Sequence, residues 1–135
     1  MAIYGIGAYY DHDVSQDFIA RGLAGVGWPY REAPELHRFI ESLKVGDIIY
    51  IKAAPLANAD IVVRAVGFVK DGVLLDSRSS KGLVQAGRNV LWRVTKEFRV
   101  PKPRERNNVR TNTPYEEHHP DVQAQIMARL CPKRR

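Results

Sequence analysis

A chain of 135 residues with 44% apolar and 27% charged side chains is long enough to bury one core and too evenly mixed to stay disordered. Lysine and arginine outnumber aspartate and glutamate by 21 to 15, a net charge of +6 that favours polyanionic partners over acidic surfaces, although half of the excess sits on Lys133, Arg134 and Arg135. The single cysteine, Cys131, excludes an intramolecular disulfide and fits a reducing compartment, and neither a leader nor a run of about 20 apolar residues is present, so one cytoplasmic domain over residues 1–135 is expected.

Residues 3–10 alternate, with Tyr4, Ile6, Ala8 and Tyr10 on one side of a pleat and Gly5 and Gly7 on the other, as in a strand closely approached by another backbone. Asp13 with Gln16 has the form of a capping box. Phe18 and Ile19 add apolar contacts, and Gly22 suits a left-handed stop, so a short helix follows. The stretch GLAGVGW at residues 22–28 then places three glycines around one large side chain, Trp28. Such glycines let a backbone approach another element or take positive φ, and the stretch reads as a turn forming a pocket wall.

Pro34 and Glu35 suit the first turn of a second helix, in which Leu36, Phe39, Ile40 and Leu43 recur at helical spacing. Gly46 ends that pattern, and DIIYIK opens a strand at 48–53. ADIVVRAVGFV predicts a long strand, Lys70, Asp71 and Gly72 a tight hairpin turn, and VLLD its partner. Residues 77–89 are polar and without a period, hence a loop. VLWRVTKEFRV resumes strand character until Pro101 and Pro103, where a basic segment begins. A last helix starts at either Thr113 or Pro120, with Val122, Ile126 and Leu130 favouring the second. The segment 99–110 and the tail 131–135 are candidates for flexible extensions.

This order, together with GVGW, the VGD of residues 45–47 before a strand, the glycine in VVRAVGFV, and TPYEE before a final helix, resembles the PUA-like superfamily. Within it the chain looks most like EVE-type domains and the DNA-binding domain at the front of McrB-type restriction proteins. The resemblance runs over roughly residues 3–130 and implies an α+β fold, a small, twisted, mainly antiparallel β-barrel with peripheral helices. Many such domains bind nucleic acid, some by flipping a modified base into an aromatic pocket, and only Trp28 is carried over to that role. The departure is a free-standing domain without the nuclease or motor that such readers serve.

The chemistry of the residues points the same way. A flipped or single-stranded base needs a π-face and a basic track for its phosphates. Trp28, Tyr9, Tyr10, Tyr30 and Trp92 are base-pocket candidates; Trp28 suits a pocket wall or a core position equally. The alternation of Val90, Trp92 and Val94 favours a core position for Trp92 over a pocket one, and Tyr9 and Tyr10 point to opposite faces. Arg78, Lys81, Arg88, Arg99, Lys102, Arg104, Arg106 and Arg110 are phosphate-contact candidates, against the competing reading of solvated loops.

Other chemistry finds little purchase. Asp11, His12 and Asp13 suit capping better than metal binding, and His118 and His119 lack the spacing that sets two imidazoles on one helix face. GLVQAGRN at 82–89 has Arg88 and Asn89 where a phosphate loop needs lysine and a hydroxyl. No base is arranged beside Cys131 and no serine sits in a GxSxG turn. The expectation is therefore a nucleic-acid-binding module without metal, cofactor or enzymatic activity. The alternatives are an accessory or inhibitory subunit for an acidic protein partner and, third, an enzyme acting on a small nucleotide.

Overall fold

The computed structural model describes residues 2–9, 12–53, 60–101 and 114–131. Ten elements follow in chain order: β1 (Ile3–Gly7), α1 (Ser15–Arg21), β2 (Leu23–Val26), α2 (Pro34–Ser42), β3 (Ile48–Ala53), β4 (Ile61–Asp76), β5 (Ala86–Val94), β6 (Phe98–Val100), β7 (Tyr115–Glu116) and α3 (Pro120–Leu130). The fold is α+β around one sheet ordered β2-β5-β4-β3-β1-β7, with β6 beside β4. Only the β1–β3 pair is parallel; the other described pairs are antiparallel. Among the described residues the ladder ends at β2 and β7 without closing, so the expected barrel is not formed by them.

The apolar run of β3 follows from burial on both faces, which leaves no polar side to alternate with. Ile49 and Ile51 join a core with Ile6, Phe18, Ile40 and Val90, covered by α1 and α2. Ile48 and Tyr50 join a second core with Val63, Phe98, Val122 and Ile126, covered by α3. The expected α2 and α3 faces are both realised: Pro34 opens α2 at its first turn, and Val122 and Ile126 are the buried positions of α3. Asp13 holds the start of α1 by accepting from the Ser15 amide at 2.8 Å and hydroxyl at 2.6 Å. Burial opposes ionisation of that carboxyl, but the Ser15 bonds and Arg64 together hold it below the usual carboxylate range.

Three expectations are corrected. Residues 70–72 are not a hairpin turn: β4 runs on, pairing Val69 with Val90 and Leu74 with Arg88, so the intervening residues bulge out of one long strand. VLLD gains its partner from β5, and Gly72 is not among the glycines at positive φ that a two-residue hairpin turn requires. The loop expected over 77–89 stops early because AGRN is the start of β5. Residues 22–28 are not simply a turn, since LAGV forms β2 on the edge of the sheet. Of the two expected helix starts, the one near residue 113 gives way to β7 and the one at Pro120 is α3, entered through His119, whose Nδ1 accepts from the Asp121 amide at 3.2 Å.

A buried polar chain ties β7 to the sheet. The Tyr50 hydroxyl donates to Glu117 Oε1 at 2.6 Å and lies 3.0 Å from the Tyr115 hydroxyl. Burial first, then Tyr115 and Glu117, push the Tyr50 phenol far above its ordinary range, so it acts as a neutral donor. Both tyrosine rings lie against Gly5; side chains, not the expected backbone, use that space.

Candidate nucleic-acid interface

The site is built from the glycine stretch outward. Gly22 takes φ 66° and ends α1, as expected. Gly25 then lets β2 press on β5: a Cβ there would collide with the Ala86 carbonyl oxygen and lie 2.8 Å from the Gly87 Cα. That close pairing carries the chain to the loop of residues 27–33.

Trp28 and Tyr30 project from this loop with 58% and 52% of their surface exposed. The core alternative for Trp28 is thereby excluded. The backbone beneath them is nonetheless tightly held. The amides of Glu32 and Ala33 donate to the Pro29 carbonyl at 3.0 and 3.2 Å. The buried His37 of α2 donates from Nε2 to the Trp28 carbonyl at 2.6 Å, and the Tyr30 ring meets the imidazole edge-on at 5.5 Å between centroids. Two exposed amphipathic rings two residues apart on a hydrogen-bonded loop each offer a π-face to solvent.

A basic loop lies beside it. Gln85 donates its amide to the Val26 carbonyl at 2.8 Å, so residues 77–85 leave the sheet at the same end as the Trp28 loop. Arg78 and Lys81 on this loop are exposed. Its shape is fixed by hydrogen bonds: Asp76 and Ser79 bond reciprocally, the buried Ser80 hydroxyl donates to and accepts from Val84, and Arg21 Nη2 donates to the Ser80 carbonyl at 2.5 Å. The Ser79 amide and hydroxyl hold the Asp76 carboxyl below its usual range. Lys81 is the one non-glycine at positive φ among the described residues, at 53°.

A left-handed lysine costs about 1 kcal/mol relative to glycine. Lys81→Gly is therefore expected to raise unfolding free energy by roughly that amount while removing a cation from the basic loop. Urea denaturation checks this; an unchanged or lower stability would show that Lys81 is unstrained there.

The remaining candidates divide clearly. Tyr9 is 72% exposed but belongs to a different segment, after β1, where it bridges to Asp13. Trp92 is partly buried, packs against the first core and donates from Nε1 to the Phe18 carbonyl at 2.9 Å, on the core-facing side that its alternation favoured and away from the Trp28 loop's own hydrogen bonds. Arg88 is corrected: it is 3% exposed, and its two terminal nitrogens donate to backbone carbonyls at the C-terminal end of α2 and to that of Asp71, while its Nε is buried without a partner, so the guanidinium faces the interior and not a phosphate. Arg99 is exposed on β6. Tyr10, Lys102, Arg104, Arg106 and Arg110 lie outside the described residues. No group of three or more potential metal ligands occurs among the described residues, and no helix among them is long and apolar enough to cross a membrane.

Sequence reading missed Arg21 and His37. Arg21 stands in the last turn of α1, an ordinary place for a cation at a helix end, so nothing marked its reach to Ser80. His37 sits between Leu36 and Phe39 and gave no signal apart from a polar residue at the flank of an apolar face. No family model matches the chain, and no curated protein is significantly similar to it.

Proposed function

We propose that the chain is a nucleic-acid-binding module that stacks an exposed base on Trp28 and Tyr30 and holds the adjoining phosphates with Arg78 and Lys81. The observation that carries this reading is the pair of exposed rings on a hydrogen-bonded loop beside a rigid basic loop. The exposed rings of Trp28 and Tyr30 are open for a partner to cover, and a preset loop lowers the ordering cost of binding. The surplus of positive charge supplies the attraction to a polyanion.

The PUA-like assignment belongs to the same proposal. It rests on the motifs GVGW, VGD and TPYEE, and it makes an extruded or modified base the object that Trp28 receives. A protein partner with an acidic surface is the competing reading and would be met as nuclease-resistant association.

Fluorescence anisotropy with labelled single-stranded oligonucleotides tests the residue roles. Trp28→Ala is expected to weaken binding by roughly 5- to 150-fold, from about 1–3 kcal/mol per stacked base. Arg78→Ala with Lys81→Ala is expected to weaken all sequences alike and to lower the salt slope by about 1–2. Affinities equal to wild type in both variants would remove these residues from the interface.

A further inference from the structure

Two aromatic rings exposed to water would normally sample several rotamers, and each would have to be ordered when a base stacks on it. His37 addresses this from beneath. Its ring is buried in a helix whose other inward residues are apolar, although burying an imidazole costs more than burying leucine unless its polar atoms are bonded. The bond it makes is to one atom, the Trp28 carbonyl, at 2.6 Å, which requires the proton on Nε2. The same ring packs against Tyr30 in a T-shaped arrangement at an interplanar angle of 86°. One side chain therefore touches both residues of the pair, fixing the backbone of one and the ring of the other.

A hydrophobic brace would pack the helix against the loop equally well, but it would not set the direction of the Trp28 carbonyl. The next anchor along the loop, the Pro29 carbonyl, restrains residues 32 and 33 and leaves the Trp28 peptide to His37. We infer that His37 is a positioning residue for the stacking surface, holding Trp28 and Tyr30 in the arrangement that receives a base; this rests on the nucleic-acid reading above. His37 itself does not touch the ligand.

The test labels the full chain with 5-fluorotryptophan and follows the Trp28 fluorine resonance, assigned by its loss in Trp28→Phe, alongside titration with a fluorescent single-stranded oligonucleotide. His37→Leu and His37→Phe both lack the donor, and the second keeps a ring for Tyr30, so one remains usable if the other does not fold. In either, the Trp28 resonance is expected to shift and narrow as the side chain loosens, and affinity to fall about tenfold. His37→Gln, whose amide can donate to the same carbonyl, is expected to recover both. A Trp28 resonance that stays unchanged without the donor overturns the inference, as does one that changes while affinity holds. If the wild type binds no oligonucleotide, the nucleic-acid reading fails on its own, and the fluorine spectra still decide whether His37 sets Trp28.

Discussion

Replacing Arg88 with methionine is expected to lower the unfolding free energy by about 1–3 kcal/mol, the range for leaving buried acceptors without a partner. The guanidinium donates from Nη1 to the Ile40 carbonyl at 3.1 Å and to the Leu43 carbonyl, and from Nη2 to the Asp71 carbonyl at 2.8 Å. The first two carbonyls lie at the C-terminal end of α2, where a cation is also favoured by the helix dipole; the Ile40 carbonyl accepts from the Leu43 amide as well, at 3.4 Å. The third belongs to the bulge of β4. Methionine fills a similar volume, so the loss isolates hydrogen bonds from packing. Arg88→Lys keeps the charge but serves fewer acceptors from one nitrogen and is expected to fall between the two. Urea denaturation at neutral pH measures the series. A methionine variant as stable as wild type but weaker in nucleic-acid binding would return Arg88 to the phosphate set and contradict its structural role.

Gly25→Ala is expected to cost about 3 kcal/mol, at the upper end for overpacking, because its Cβ meets backbone that cannot rotate away. β2 would have to lift from β5, and with it the bond from Gln85 to Val26 that joins the starts of the two loops of the candidate site. The stability loss should therefore come with weaker oligonucleotide binding. Gly72→Ala is the matched control: nothing lies within 4 Å of its Cβ position, and a change within about 0.5 kcal/mol is expected. Thermal unfolding of the two variants separates them, and equal midpoints would mean that β2 does not press on β5 as closely as the structure has it.

The parts of the fold that were legible in the sequence are those where one period dominates. Leu36, Phe39 and Ile40 on α2, Val122 and Ile126 on α3, and the run of β3 each have a face set by burial, and the elements lie where the patterns put them. β2 was hidden because a four-residue strand flanked by glycines has no visible alternation, and its glycine is explained only by a partner some sixty residues away in β5. The bulge at residues 70–73 was hidden because aspartate followed by glycine signals a turn wherever local chemistry alone decides. At the candidate site, Trp28 was legible as the single large side chain among glycines, while its exposure was not, since a glycine-flanked tryptophan satisfies a core and a surface equally. Arg88 misled for the opposite reason. In a polar, glycine-bearing stretch an arginine reads as solvated, and the carbonyls that bury it are 45 and 48 residues distant in the chain.

The most direct measurement is an anisotropy titration of the nuclease-treated protein with single-stranded and duplex DNA and RNA, plain and base-modified, at two salt concentrations. Binding that weakens with salt, and that prefers single-stranded or modified ligands over plain duplex, is the expected result. No binding to any of them at low salt would contradict the nucleic-acid reading and leave Trp28 and Tyr30 as the surface for a protein partner.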